Sequence, residues 1–361
     1  MKIAIVHDYL HQFGGAERVV AVLHEMFPDA PIFTSIYNSK NFPEEFQSME
    51  IRTSFMQKLP FIFKNFRAYF MFYPFAFESF DLRDFDLIIS SSSAYAKGVR
   101  KRKDATHVCY CYNPMRFVWR YKDYMKKEDL SLLVKLILPF FLYPLKLWDL
   151  FTSKRVNYFI AISKEIKERI KSIYKRDSDI IYPPVNVDEF RVSYEDGDYF
   201  LIVSRLAAYK NIDLAVKAFS ELKLPLKIVG AGPALANLKK IAGDNIFFLG
   251  KVSEKELKRL YLGCRALVFP GEEDFGIVPL EAAASGRPTI AYAAGGALET
   301  IIKDKTGVFF YEQTINALIE AVKCFEKMKF DKKQLREHSE KFSKEIFKKN
   351  MRRFLYENKI L

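Results

Sequence analysis

Phe269-Pro-Gly-Glu-Glu-Asp-Phe-Gly-Ile-Val-Pro-Leu-Glu281-Ala-Ala-Ala-Ser-Gly-Arg-Pro288 is the stretch that decides the fold. The apolar run leading into it, 265–269, reads as a buried strand ending in Pro-Gly. After the acidic Glu272-Glu-Asp274 come Phe275-Gly276 and a helical pattern over 277–285, stopped by Gly286. A strand–loop–helix junction of this kind turns several backbone N–H groups, and the positive end of the helix dipole, towards one spot. That spot suits an anion such as a diphosphate. Glu273 stands at the mouth of the junction, and Glu281 follows about two helical turns later. Each carboxylate is an acceptor for vicinal hydroxyls, one for those of a sugar and the other for a ribose diol.

Upstream, Ser204-Arg205-Leu-Ala-Ala-Tyr-Lys210-Asn211 follows the strand expected at 199–204. An arginine fork and a lysine point charge at one strand-to-helix turn can converge on a diphosphate, although such residues are often two surface cations. Strands at 226–229 and 246–249 alternate with helices at 211–222, 253–262 and one opened by Gly230-Ala-Gly-Pro233. That alternation predicts a parallel, doubly wound sheet. Residues 1–180 carry the same signature. There a strand at 2–6 leads through Gly14-Gly15 to a helix at 19–26, with further strands at 32–35, 86–90, 106–112 and 158–163.

Glu273-x7-Glu281, together with Arg205, Lys210 and Gly295-Gly296-Ala-Leu-Glu299-Thr300, resembles the donor-site signature of glycosyltransferase family four. The resemblance covers nearly the whole chain and is strongest from Tyr182 to Thr300. It implies an α/β architecture of the GT-B type, two Rossmann-like doubly wound parallel-sheet domains facing a cleft. An acceptor-side domain at 1–182 and a nucleotide-sugar domain at 183–344 follow, with a last helix at about 345–361 returning to the first domain. The proline-stiffened 180–188 is the expected linker. The resemblance also assigns roles. Arg205 and Lys210 grip the leaving diphosphate, and Glu273 completes the catalytic set. Ser204, Phe275, Gly276, Ile277 and Glu281 hold the donor, Lys251 and Val252 meet the base, and Gly14-Gly15 close over the diphosphate. No metal and no cofactor is expected, the nucleotide sugar being a substrate.

Asn113-Pro114-Met115-Arg116-Phe117-Val118-Trp119 is similar to a Pro-Met-Arg-aromatic-x-Trp run of lipopolysaccharide-type mannosyltransferases, which implies GDP-mannose, with UDP-sugars still open. Tyr112, Asn113 and Arg116 are the acceptor-side candidates. Where that family usually has a histidine, this chain has Tyr112, a hydrogen-bonding group but a poor base near neutral pH. Asp84-Phe85-Asp86 has the form of a metal-binding Asp-x-Asp but precedes its strand.

The chain has 361 residues, enough for two domains, and 57 Lys+Arg against 44 Asp+Glu give a net charge of +13. An anionic partner is implied. No RNA-binding signature accompanies the charge, so nucleic acid is not expected. Four cysteines without a CxxC make a reducing cytosol the default. The first apolar run is too short for a signal peptide and reads as a strand. Two stretches of the first half bear on membranes. Residues 55–80 interleave eleven aromatics with Lys58, Lys64 and Arg67, either as a helix pair on the core or as a lipid-facing surface. The apolar 132–148, broken by Lys135, Pro139, Pro144 and Lys146, falls short of a spanning helix. The combined expectation is a cytoplasmic enzyme, peripheral on an anionic membrane, with a glycan or polyprenyl-linked acceptor. A nucleotide-sugar epimerase, a phosphorylase and a basic binding protein remain the alternatives.

Overall fold

The computed structural model describes residues 1–121, 132–195 and 197–361, with backbone alone over 132–137. The chain forms two compact units, one of residues 1–184 with 347–361, the other of residues 185–346. Among the described residues each unit is built on a single all-parallel sheet.

The first sheet has seven strands: β1 (Ile3–His7), β2 (Ile32–Thr34), β3 (Ile51–Thr53), β4 (Leu87–Ser92), β5 (Thr106–Cys111), β6 (Tyr158–Ala161) and β7 (Asp179–Ile180). The second has six: β8 (Tyr199–Val203), β9 (Leu226–Val229), β10 (Ile246–Gly250), β11 (Cys264–Phe269), β12 (Thr289–Tyr292) and β13 (Gly307–Phe310). Their orders are β3-β2-β1-β4-β5-β6-β7 and β10-β9-β8-β11-β12-β13. In both, the chain winds outward to one edge and then returns to the other side of its first strand. Right-handed crossovers force the loops after those two central strands onto opposite faces, so a crevice opens at their carboxyl ends.

The strands are apolar on both faces because helices cover both. In β8, Phe200 and Ile202 enter one buried cluster with Phe219 and Val322, while Tyr199 and Leu201 enter another with Leu260 and Tyr261. In the first unit the helix Lys344–Glu357 buries Phe347, Met351, Phe354 and Leu355, one stripe at helical spacing. Phe347 meets Tyr110 edge-on at 5.7 Å, and Phe354 meets Tyr158 at 6.0 Å.

Local boundaries differ from the sequence reading in three places. The first helix runs Gly15–Met26, not from 19, because Arg18 N–H already bonds Gly14 O at 3.0 Å. The aromatic stretch is not a helix pair but four short turns, Phe55–Lys58, Ile62–Asn65, Phe66–Tyr69 and Tyr73–Glu78. Its residues divide between both readings. Tyr73 and Phe77 are buried, whereas Phe61 is 73% and Phe75 69% exposed. The basic tail is two helices, Lys332–Glu340 and Lys344–Glu357, rather than one.

One buried group makes stability sensitive to acid. His107 on β5 is fully enclosed, with Nε2 at 2.8 Å from Ser90 Oγ and Nδ1 without a partner. Burial, reinforced by Lys101, Lys97 and Arg155, pushes its pKa down to about 3 from 6.5. Between those values the unfolded chain binds the extra proton and the folded chain does not, so stability is full above the upper value and falls as pH drops towards the lower. One proton corresponds to about 1.4 kcal/mol per pH unit. Urea unfolding from about pH 6 to about pH 4 is expected to show that extra slope in the parent protein and not in His107→Gln; parallel profiles would exclude it.

Candidate active site

Val203 ends β8 and Phe269 ends β11, the two central strands of the second sheet. The chain after β8 is anchored by buried Leu206, whose N–H bonds Ala231 O at 3.1 Å. It then makes the turn Ala208–Lys210 and enters the helix Ile212–Leu222. The chain after β11 comes so close that a Cβ on Gly271 would stand 2.8 Å from Lys210 O. Across this approach Lys210 Nζ forms an ion pair with Glu273 Oε1. The loop after β12 joins them, Gly296 N–H donating to Glu273 O at 2.8 Å.

Beyond Glu273 the chain must reverse into a helix. Gly276 does this with φ +97°, a backbone conformation that side chains disfavour, and caps Ile277–Ala284. The first-turn amides of Ile277 and Val278 have no acceptor within the helix, and Pro279 removes the next donor. The junction therefore presents two amides, the helix dipole and the Lys210 ammonium near the same strand ends. An ammonium has three donors, and Glu273 is one of the partners of Lys210. Arg205 is exposed at the start of the same loop, and among the described residues its guanidinium has no ion-pair partner. Ser204 turns its hydroxyl to Arg205 O at 3.2 Å.

Other predicted donor residues fall differently. Phe275 is only 4% exposed and its ring lies 5.9 Å from that of Phe342, so its side chain belongs to the core and only its backbone lies along the junction. Glu281 is nearly buried in the helix, accepting a 2.8 Å hydrogen bond from Tyr261. Lys251 is exposed after β10, two strands from β8, while Val252 packs against the cluster that contains Tyr261. Sequence reasoning missed Tyr261 and Gly271, because their partners are distant in the chain. A tyrosine in an otherwise regular amphipathic helix carried no signal.

In the first unit, Gly14 and Gly15 start the first helix without positive φ; they supply a helix N-terminus rather than a left-handed turn. Buried polar groups occupy the carboxyl ends of β1, β4 and β5. His7 Nδ1 lies 3.0 Å from Ser91 Oγ and its Nε2 3.6 Å from Glu17 Oε1. Ser91 Oγ lies 2.9 Å from Tyr112 Oη, which donates to Ala16 O at 3.1 Å. Burial raises the Tyr112 pKa well above the ordinary phenol value, which further disfavours it as a base. Asn113 is buried just beyond, and Arg116 opens the four-residue helix Arg116–Trp119. Trp119 donates to Asp149 at 2.7 Å, and Asp149 also pairs with buried Lys97. The Trp of the Pro-Met-Arg run thus anchors the core.

Asp8, 1% exposed, accepts from the backbone N–H groups of Ser93, Ala94, Tyr95 and Ala96 at 2.5–3.0 Å. Asp86 lies at the opposite, amino ends of the central strands, where it accepts from Lys2 N–H and Arg102. Asp84-Phe85-Asp86 therefore lies away from the strand ends that carry the crevice. Among the described residues no cluster of three metal-ligating side chains occurs.

Known proteins resemble this chain along most of its length. A family model for Glycosyltransferase Family 4 matches residues 13–189, and one for Glycosyl transferases group 1 matches residues 186–348. The O-antigen chain mannosyltransferase RfbU of Salmonella typhimurium is 34% identical over 149 residues, 38% of this chain and 42% of RfbU. A GDP-mannose-dependent alpha-(1-6)-phosphatidylinositol monomannoside mannosyltransferase of Mycobacterium tuberculosis is 30% identical over 193 residues, 45% of this chain and 50% of that one. The chain spans about half the length of the first curated relatives it matches. Among solved structures, Anabaena HepE in complex with UDP superposes with a TM-score of 0.72 over 99% of this chain and 100% of HepE, at 14% identity. That likeness is one of fold.

The Tyr112 network generates a stability test. Tyr112→Phe removes the shared bond to Ser91 and the bond to Ala16 O, and is expected to lower unfolding free energy by about 1–3 kcal/mol. Denaturant titration measures it; an unchanged midpoint would show the network to be unimportant.

Proposed function

We propose, because the chain belongs to glycosyltransferase family four, that it is a retaining, metal-independent hexosyltransferase using a nucleotide sugar. The transferred group is mannose from GDP-mannose, and the acceptor a glycan or polyprenyl-linked glycan of cell-surface polysaccharide synthesis. The observation that carries the reading is the Lys210–Glu273 ion pair between the loops that follow β8 and β11, the second of which runs into the helix that begins with the Ile277 and Val278 amides.

Breaking the bond between the anomeric carbon and the diphosphate builds negative charge on the leaving group. Lys210, Arg205 and the two amides stabilise that charge, as preorganised donors in place before the reaction. Glu273 holds sugar hydroxyls, and Glu281 holds the ribose diol. The acceptor oxygen attacks from the leaving-group side, its proton passing to a phosphate oxygen, so no side-chain base is needed where Tyr112 stands. The mannosyltransferase RfbU favours mannose as the transferred sugar, and the GDP-mannose-dependent mycobacterial enzyme favours GDP-mannose as its donor. The UDP held by HepE favours a second reading, a UDP-sugar donor on the same frame.

We place the enzyme peripherally on an anionic cytoplasmic membrane face through its first unit. The helix Leu132–Ser153 buries Leu142, Leu145 and Asp149 but exposes Phe140, Tyr143, Leu147 and Phe151, a stripe at helical spacing. Phe140 is 76% exposed. Exposed Lys146 and Lys154 flank the stripe, and its buried side shares one apolar cluster with Tyr73 and Phe77 of the aromatic stretch. Interfacial aromatics with nearby cations suit an anionic bilayer surface. Among the described residues no helix is long and apolar enough to cross a membrane.

Lys210→Ala and Glu273→Ala are each expected to lower turnover by about 100–1,000-fold with the circular dichroism unchanged, and EDTA to leave the parent's turnover intact. Near-normal turnover of either variant removes its role, and loss on chelation reversed by Mg²⁺ or Mn²⁺ removes the metal-independent route. A separate test concerns the surface. Flotation with vesicles is expected to carry the protein up with anionic lipid at low salt, less at high salt, and less again for Phe140→Ser/Phe151→Ser. Protein that stays at the bottom in every condition would overturn the membrane assignment.

A further inference from the structure

Glu281 is 4% exposed and sits in a helix flanked by alanines, Glu281-Ala-Ala-Ala. A carboxylate so placed needs donors, because burying it without hydrogen bonds is costly. Tyr261 supplies one at Oε2, 2.8 Å away. The tyrosine is fully buried near the end of the helix Glu254–Gly263, its ring set among Leu201, Val229 and Leu267 and edge-on to Phe190 at 5.7 Å. A ring held on every side fixes where its hydroxyl points. That hydroxyl is a polar atom in an apolar cluster, where a phenylalanine would fill the same space, and it is spent on Glu281.

We propose that Tyr261 is a positioning residue that sets the orientation of the Glu281 carboxylate for a nucleoside ribose. This rests on the reading of Glu281 as the ribose-binding group. A carboxylate has about four acceptor positions, and a vicinal diol takes two in a fixed direction. One charge-assisted bond from a rigid phenol restricts rotation of the carboxylate about its last torsion, and so sets the direction in which its oxygens face. The effect is on recognition of the diol and not on the diphosphate, which the proposed function assigns to Lys210 and to the first turn of the helix, one turn before Glu281. Tyr261 thereby links the helix before β11 to the helix after it, and the sheet's core packing becomes part of ribose selection.

The test is calorimetric binding of GDP and UDP, each beside its 2′-deoxy and 3′-deoxy forms, to the parent protein, Tyr261→Phe and Glu281→Gln, with thermal unfolding as a check of folding. The parent is expected to prefer the ribonucleotide, Glu281→Gln to lose that preference, and Tyr261→Phe to reduce it about tenfold while the affinity for inorganic pyrophosphate stays at the parent value. If Glu281→Gln loses the preference but Tyr261→Phe keeps it in full, the positioning role is overturned and the ribose reading stands. If Glu281→Gln keeps the preference, the ribose reading fails and the role of Tyr261 with it. A Tyr261→Phe protein weakened equally for ribonucleotide, deoxynucleotide and pyrophosphate would mean a general structural role, and also overturns the proposal. Should Tyr261→Phe not fold, Tyr261→Leu, which is apolar and has no donor, replaces it under the same criteria.

Discussion

Two parallel strands with diverging exits, β8 and β11, are the constraint on which the candidate site depends. They are neighbours in the sheet, Leu201 beside Leu267, yet their following helices cover opposite faces. The loops must part, and what holds them at a fixed separation is the contact between Gly271 and Lys210 with the Lys210–Glu273 pair beside it. The side chains of that pair are 14% and 23% exposed. An ion pair with water at its edge contributes little to stability, about 0–1 kcal/mol. Its value is positional: it aims an ammonium and a carboxylate at the mouth of a helix whose first amides face the same way.

Much of this was legible in the sequence. Alternating apolar runs with turn residues gave both parallel sheets, because fully buried strands and amphipathic helices each leave a periodic mark. The Glu273–Glu281 element was legible because one continuous loop–helix junction carries both carboxylates. Contacts between loops were not. Nothing local reveals that Lys210 pairs with Glu273, or that Tyr261 reaches Glu281, since each pair is joined only when strands distant in sequence become neighbours. Phe275 shows that a residue along the junction can commit its side chain to the core. Standing between an acidic loop and a glycine, it read as part of the site, but the core beneath the junction takes its ring. Trp119 was drawn towards function by a motif, yet its indole is committed to Asp149, which in turn neutralises buried Lys97.

The Asp149 arrangement shows why a run such as Pro-Met-Arg-aromatic-x-Trp carries mixed information. Lys97 and Asp149 are both nearly inaccessible, and a buried ion pair is tolerable only when its remaining hydrogen bonds are met. Trp119 and Tyr174 meet them, at 2.7 and 2.8 Å from Asp149. Lys97 also lies 5.4 Å from the centres of the Trp148 and Tyr174 rings. Half of the run therefore serves packing, and only Asn113 and Arg116 stand where the loop after β5 begins. A short motif need not be functional at every position for the motif as a whole to mark a family.

The two sheets share a strand order but use their carboxyl ends differently, and that difference decides where an anion is placed. In the first unit the loop after β4 folds its amides into a nest, and Asp8, leaving β1, fills it with both carboxylate oxygens. A nest satisfied by the chain's own carboxylate repels a second anion rather than binding one. In the second unit the residue in the corresponding position after β8 is Ser204, followed by Arg205, and the loop after β11 begins a helix whose amides look outward. Where the first sheet puts an aspartate, the second puts a hydroxyl and a cation. The same topology thus fills one loop cluster with a buried carboxylate and, in the other, sets Arg205 and Lys210 beside Glu273. That contrast supports the proposed placement of a diphosphate at the ends of β8 and β11.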